Sequence, residues 1–346
     1  MIKVLIVDDS AFMRNTLSSM ISSDPEIKVT GIAKDGIEAV EKAASLKPDI
    51  ITMDIEMPRM NGIDALRQIM KKTPVPVLMV SSLTTEGAKL TFDALDIGAV
   101  DFIPKNLSDL SINIIKIKDI LIDKIKKIAR KGIVKGLRSH HVTPLKMPEQ
   151  RACSSISRIR VVAIGTSTGG PKALQNIIPR FPKEFPVPIL IAQHMPPAFT
   201  GPFAERLNQL SAIEVKEAEH GESIEKGVIY VAPGRGHMSL FRKKLTETGI
   251  TISENRGELI YRPSVDVLMS SVVDNFSGHV LGIILTGLGN DGEKGMREIK
   301  NKGGRTIAER EDTCVVYGMP RSVVEAGLAD KILPLDEIAG EIINSV

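Results

Sequence analysis

Over the first 105 residues, short apolar runs alternate five times with longer stretches whose apolar residues recur every three or four positions. The runs Lys3–Val7, Val29–Ala33, Ile50–Met53, Val77–Val80 and Asp101–Ile103 have the density of strands buried on both faces. The stretches between them, such as Ala11–Ile21 and Gly36–Leu46, read as amphipathic helices, which gives the rhythm of a doubly wound parallel sheet. A last helix is expected to start near Leu107, because Ile114, Ile117, Leu121, Ile125 and Ile128 form an apolar stripe at helical spacing. From about Lys131 to Arg158 the pattern dissolves into Gly, Ser, Pro, His and basic residues, as a linker does. Alternation resumes at Ile159, with a β-rich insert between Ile213 and Tyr261. The expected fold is α/β: a doubly wound five-stranded parallel domain over 1–125, a linker over 126–158, and a mostly parallel α/β domain with a β-hairpin insert over 159–346.

Composition narrows the setting. A chain of 346 residues can build two domains with full cores, and 42% apolar with 25% charged residues is ordinary for a globular protein. No apolar stretch reaches the roughly 18 residues of a membrane helix. The start, Met1–Leu5, runs straight into a strand, so neither membrane insertion nor a secretory signal is expected. Two cysteines, Cys153 and Cys314, make no disulfide framework, which suits the cytoplasm. The net charge of +3 divides into −3 over 1–125, +8 over 126–158 and −2 over 159–346. A solvated linker is the plain reading of the basic segment, and attraction of an acidic substrate is the sharper one. Nucleic-acid binding is not expected, because the basic residues sit in a linker and only 3% of residues are aromatic.

The first candidate site is acidic. Asp8 and Asp9 close the first strand, Asp54 the third and Ser81 the fourth, and Lys105 follows the fifth. A parallel sheet brings all five to its carboxyl edge. Clustered carboxylates repel unless a cation neutralises them, and oxygen-only ligands suit Mg²⁺, above all with a phosphoryl oxygen in the shell. Asp54 is then a candidate nucleophile for an acyl phosphate, with Lys105 facing the phosphoryl group. Helix capping explains any one of these acids more easily than the whole set. The run Met53-Asp54-Ile55-Glu56-Met57-Pro58-Arg59-Met60-Asn61-Gly62 is close to the acceptor-strand motif of the two-component receiver family, which residues 1–125 resemble. The resemblance implies that Asp54 is phosphorylated and that Asp8, Asp9 and Asp54 hold Mg²⁺. It makes Ser81 the hydroxyl switch, Lys105 the invariant lysine and Phe102 the aromatic that repacks on activation. Asn61 stands where Asp is common in that family, and Asn106 where Pro usually follows the lysine.

The second half holds three apolar runs that each lead to a different member of a hydrolytic triad. Val161–Gly165 leads to Ser167, Pro188–Ala192 to His194 and Val280–Leu285 to Asp291. Gly165-Thr166-Ser167-Thr168-Gly169 fits the G-x-S-x-G elbow, with a helix expected over Pro171–Phe181. Phosphate cradling is the competing use of such a turn. The dinucleotide fingerprint fails at Ser167, however, and the P-loop fails at Pro171 and Ala173. His220, His237 and His279 are rival bases, weaker because two lie in the insert and His279 begins a strand. The order Ser, His, Asp differs from that of α/β-hydrolases, but triads are recognised by roles rather than order.

With these motifs, Tyr261-Arg262-Pro263-Ser264-Val265-Asp266 and Leu285-Thr286-Gly287-Leu288-Gly289-Asn290-Asp291-Gly292 make the whole chain resemble the chemotaxis response-regulator methylesterase family. Carried over from it, Ser167 is the nucleophile, His194 the general base and Asp291 the orienting acid. Backbone amides at Thr168, Gly169 and Leu288 then receive the oxyanion. The resemblance implies hydrolysis of glutamyl methyl esters on chemoreceptors and deamidation of selected glutamines through the same acyl-enzyme, with no cofactor for either. It also implies a chemotaxis histidine kinase as phosphodonor, a receiver that covers the active-site mouth until phosphorylated, and a cytoplasmic monomer. The alternative, a phospho-regulated binding protein without catalysis, is disfavoured by the intact Ser167, His194 and Asp291. The sequence does not specify which receptor or which glutamates are acted on.

Overall fold

A computed structural model describes residues 1–105, 114–132, 159–244, 246–255, 259 and 261–346. The helix start expected near Leu107, together with Asn106, Cys153 and most of the linker, lies outside the described residues. The chain divides into two compact units, Met1–Arg138 and Ser139–Val346. Among the described residues no helix is long and apolar enough to cross a membrane.

The first unit runs β1 (Ile2–Val7), α1 (Ala11–Ser22), β2 (Ile27–Ala33), α2 (Gly36–Leu46), β3 (Ile50–Asp54), α3 (Gly62–Lys72), β4 (Val77–Ser81), α4 (Thr85–Ile97), β5 (Asp101–Pro104) and α5 (Ile114–Lys131). Its sheet is parallel in the order β2-β1-β3-β4-β5. The largely apolar runs of β1, β3 and β4 form its core, each buried Leu or Ile worth roughly 1.5–3 kcal/mol. Helix starts are set by short polar side chains: Ser10, Asp35, Asn61 and Thr84 each accept a first-turn N–H. Asn61 therefore does the capping work of the more usual Asp. Gly62 is required beside it, since a Cβ there would fall 1.9 Å from the Asp54 carbonyl oxygen. Helix α5 carries the chain past the boundary expected at 125, and residues 126–131 belong to it rather than to a linker. Part of the +8 segment is spent there, as Lys126 pairs with Asp24 (3.1 Å) and Arg130 with Glu26.

In the second unit the elements are β6 (Val161–Thr166), α6 (Gly170–Ile177), β7 (Ile189–Gln193), α7 (Pro197–Leu210), β8 (Glu214–Glu217), β9 (Val228–Val231), β10 (His237–Lys244) and β11 (Glu247–Ser253). They continue as α8 (Val265–Phe276), β12 (Val280–Ile284), α9 (Glu293–Asn301), β13 (Arg305–Glu309), α10 (Met319–Glu325), β14 (Lys331–Leu333) and α11 (Leu335–Ser345). The helix expected to reach Phe181 ends as α6 at Ile177 and tightens into a 3₁₀ turn, Ile178–Arg180, at Pro179, which has no N–H to continue the ladder. The seven-stranded sheet, β14-β13-β12-β6-β7-β9-β8, is parallel at every pairing. The insert is only half a hairpin insert: β8 and β9 extend this sheet, and β10 pairs antiparallel with β11 alone. From β6 the chain proceeds outward through β7 and later returns to β12 on the other flank, so the strand order switches at β6.

Candidate active site

Two carboxyl edges collect the polar side chains that the sequence singles out. In the first unit the order switches between β1 and β3, so Asp8 and Asp9 stand across from Asp54. One carboxylate oxygen from each lies within 4.8 Å of the others. Lys105 Nζ donates to Asp54 Oδ2 at 2.7 Å and stands 3.6 Å from Asp8 Oδ2 and 3.8 Å from Asp9 Oδ1. Burial pushes the Asp54 carboxyl up to about 6 against the pull of Lys105, and burial also raises Asp8. For Lys105 burial is the largest influence and opposes the charge, yet the bond to Asp54 and the charges of Asp54, Asp8 and Asp9 together outweigh it and its pKa rises. Asp8 Oδ2 is buried and accepts no hydrogen bond among the described residues. An acidic, oxygen-only donor set with one such oxygen to spare fits a hard divalent cation. Arg14 donates to the carbonyls of Asp8 and Asp9, both at 2.8 Å, and fixes the loop that carries them.

Ser81 and Phe102 are both buried in this structure. The Ser81 hydroxyl is directed to the carbonyls of Ser82 (3.3 Å) and Gly87 (3.2 Å), and the Thr91 hydroxyl donates to it at 2.8 Å. It thus faces α4 rather than Asp54. Phe102 meets Phe92 edge-on, with centroids 6.4 Å apart.

The second edge is built at the switch around β6. Thr166 pairs with Gln193, so Ser167 and His194 leave the sheet side by side. The loop after β12 closes against them: Thr286 accepts the Ser167 N–H at 3.1 Å and the Thr166 hydroxyl at 2.8 Å. Gly287 makes that approach possible, since a Cβ there would fall 2.9 Å from the Ser167 Cβ. His194 Nε2 lies 2.8 Å from Asp291 Oδ2. A carboxylate only accepts, so Nε2 carries the ring proton and Nδ1 the lone pair. His194 Nδ1 is buried with no partner, and the Ser167 hydroxyl likewise has none, among the described residues. The chain of three is closed at His194–Asp291 and open at Ser167–His194. The N–H groups of Thr168, Gly169 and Leu288 meet no acceptor among the described residues.

Several residues at this edge escape a reading from sequence. Asp291 lies across the start of α8 and accepts the N–H groups of Val265 (2.8 Å) and Asp266 (3.0 Å) and the Ser264 hydroxyl (3.1 Å). Burial opposes its charge, but the bond to His194 and these donors hold its carboxyl below the usual range. Asp266 returns the favour by accepting the N–H groups of Gly292 (2.9 Å) and Gly295 (2.8 Å) at the start of α9. Burial, with Asp291 alongside, lifts Asp266 to about 6. Tyr261 stacks flat on the His194 ring at 4.5 Å. Gln193 Nε2 ties the carbonyls of Ser167 (2.9 Å) and His194 (3.0 Å). Glu309, fully buried at the end of β13, accepts the Thr286 N–H at 2.8 Å. Ser264 preceding Val265 is a readable helix-start signal, but nothing local shows which carboxylate completes the cap. Among the rival histidines, His220 accepts the Ile252 N–H on the hairpin, His279 precedes β12 at the opposite sheet edge, and His237 lies against Ser264.

Fold and site together define a phospho-acceptor receiver domain joined to an α/β hydrolase domain. A receiver-domain model matches residues 4–114, and the CheB methylesterase model matches residues 162–342. The chain belongs to the CheB methylesterase family. It is 46% identical, over the full length of both chains, to protein-glutamate methylesterase/protein-glutamine glutaminase 2 of Nitratidesulfovibrio vulgaris. It is 48% identical to the first such protein of Geobacter sulfurreducens, over 99% of this chain and 96% of that one. The crystal structure of the Thermotoga maritima CheB methylesterase catalytic domain superposes with a TM-score of 0.53 at 42% identity, covering 54% of this chain and 99% of that one.

Proposed function

We propose that this protein is a cytoplasmic, monomeric enzyme that hydrolyses glutamyl methyl esters on chemoreceptors and deamidates selected receptor glutamines, under control of phosphorylation at Asp54 by a histidine kinase. The observation that carries the reading is the 2.8 Å bond between His194 Nε2 and Asp291 beside Ser167 at one strand edge. Ser167 Oγ attacks the ester carbonyl, and its proton passes to His194 Nδ1, the nitrogen that holds the lone pair. Asp291 keeps the ring in that tautomer and balances the imidazolium charge. The free N–H groups of Thr168, Gly169 and Leu288 supply donors for the oxyanion, each worth roughly 3–4 kcal/mol to the transition state. Collapse returns the proton to the leaving methoxide, methanol departs, and water releases the glutamate by the same steps. A glutamine loses ammonia through the same acyl-enzyme.

At the receiver edge, Asp8, Asp9 and Asp54 would hold Mg²⁺, which when bound neutralises charge around the phosphoryl group. Lys105 exchanges its bond to Asp54 for one to the phosphoryl oxygens, and Ser81 turns from Gly87 and Thr91 toward the added charge of about −1.5 to −2. Methanol release from methylated chemoreceptor membranes, with and without a small phosphodonor and Mg²⁺, tests the reading. Wild type is expected to respond to the phosphodonor, Ser167→Ala to release nothing in either condition, and Asp54→Asn to show no stimulation. Release by Ser167→Ala at the wild-type rate would remove the nucleophile assignment. No release by wild type would favour the binding-protein alternative.

A further inference from the structure

We propose that His237 is a positioning residue for the triad acid: its Nδ1 lone pair holds the start of α8, and through α8 it fixes the Asp291 carboxylate against His194. The proposal rests on the reading of Asp291 as the orienting acid.

The start of a helix leaves N–H groups without intrahelical acceptors, and at α8 each has a named partner. Val265 and Asp266 donate to Asp291, and Val267 donates to Ser264 Oγ at 3.4 Å. The Ser264 N–H, which is buried, goes to His237 Nδ1 at 3.0 Å. The Ser264 hydroxyl proton is in turn committed to Asp291. His237 is therefore the one acceptor of this set that comes from outside the Ser264–Asp291 pair. It is also the group that fixes how Ser264 is turned toward the carboxylate.

A backbone N–H can only donate, so His237 must be neutral with its ring proton on Nε2. An imidazolium there would set N–H against N–H. The surroundings agree: His237 is only 4% exposed, and burial first, then the Arg262 charge and that of His194, disfavour protonation, while Asp291 pulls the other way. The hairpin that carries His237 is docked along α8 by further bonds. Leu240 N–H donates to Ser271 Oγ (3.0 Å), Asn275 donates to the Leu240 carbonyl (3.1 Å), and Arg242 donates to the Asn275 carbonyl (3.2 Å). Arg262, just before the cap, ties back to the Arg235 carbonyl at 2.9 Å. On this reading, β10 and β11 lie outside the main sheet because they brace the helix that holds the acid.

The test uses the full chain activated by phosphodonor, with methanol release as the readout for His237→Asn, His237→Gln and His237→Ala. Asn carries an acceptor oxygen at the Nδ1 position, whereas Gln and Ala do not. His237→Asn is expected to keep kcat within about threefold of wild type. The Gln and Ala variants are expected to lose about tenfold or more, with KM little changed, because an orphaned donor at the cap frees the acid. Nitrogen-15 shifts of His237 in wild type, which need no variant to fold, are expected to show the neutral Nε2–H form at neutral pH. A proton on Nδ1 at neutral pH, wild-type kcat in His237→Ala, or equal impairment of all three variants overturns the proposal. A wild type that releases no methanol strikes instead at the hydrolase reading, and the tautomer measurement alone then decides the His237–Ser264 contact.

Discussion

Asp291→Asn probes the point where most bonds of the site meet. Asp291 Oδ2 accepts from His194 and from the Val265 N–H, and Oδ1 accepts from the Asp266 N–H and the Ser264 hydroxyl. An amide has one acceptor oxygen, so one of these pairs must face an NH₂ group. Placed at Oδ2, the NH₂ orphans the Val265 N–H and donates to His194 Nε2, which moves the ring proton to Nδ1. Placed at Oδ1, it orphans the Asp266 N–H, because the Ser264 hydroxyl can turn and accept. Each orientation leaves one donor orphaned, at about 1–3 kcal/mol. The first blocks the base with a proton on Nδ1; the second keeps the tautomer and loses the negative charge. At 2.8 Å the carboxylate–imidazolium attraction is at most about 6 kcal/mol for an effective dielectric of about 20. Allowing for the hydrogen bond that remains, a loss of about 3–5 kcal/mol lowers kcat roughly 10²- to 10⁴-fold. Methanol release by the phosphorylated enzyme gives kcat, and denaturant unfolding gives the accompanying loss of about 1–3 kcal/mol in stability. If kcat stayed within about tenfold of wild type while stability fell, the carboxylate would be a helix cap and not a catalytic acid.

Two further outcomes concern titration. Because burial holds the Asp54 carboxyl near 6, a proton competes with Mg²⁺ below that pH. The Mg²⁺ dissociation constant, measured by calorimetry, should be level above about pH 7 and rise about tenfold per pH unit below about 6; a constant value from pH 5 to 8 would rule Asp54 out as a titrating ligand. Asp266 has a folded pKa of about 6, raised from 3.8, so folding favours its protonated form and its ionisation costs stability as pH climbs through that interval. Asp266→Asn mimics the neutral acid. It should be about 1–3 kcal/mol more stable than wild type at pH 7.5 and nearly equal at pH 4, by denaturant unfolding. The opposite ordering at pH 7.5 would mean that the charged cap on α9 outweighs the cost of burial.

The legible part of this protein was its buried strands. β1, β3, β4, β6, β7 and β12 are continuous apolar runs, and a parallel sheet must bring their carboxyl ends to one edge, so Ser167, His194 and Asp291 were readable as neighbours. The insert was not, since β8 and β9 are only four residues each, β8 alternates polar with apolar residues as a hairpin strand does, and only pairing with β7 shows which sheet they join. Nor were the supports of the site. Ser264 and Asp266 look like ordinary capping residues, Glu309 like a strand-end acid, and His237 like part of a surface insert. Asp266, Glu309 and His237 work through backbone N–H groups far away in sequence, and a backbone amide leaves no signature in residue type. The domain boundary at 125 fell inside α5 for a related reason: Lys126 and Arg130 were counted as linker charge, whereas Asp24 and Glu26, about a hundred positions earlier, hold them to the first unit.

Helix ends are usually where a domain is loosest, and the loops beside them are where chemistry is carried. Here α8 begins on a carboxylate lent by the loop before α9, and α9 begins on one lent by the first turn of α8. Neither end can fray without unseating the other. The loop that bears Asp291 therefore opens only when two helices open together, and an acid placed on a glycine-rich loop shares the endurance of the core.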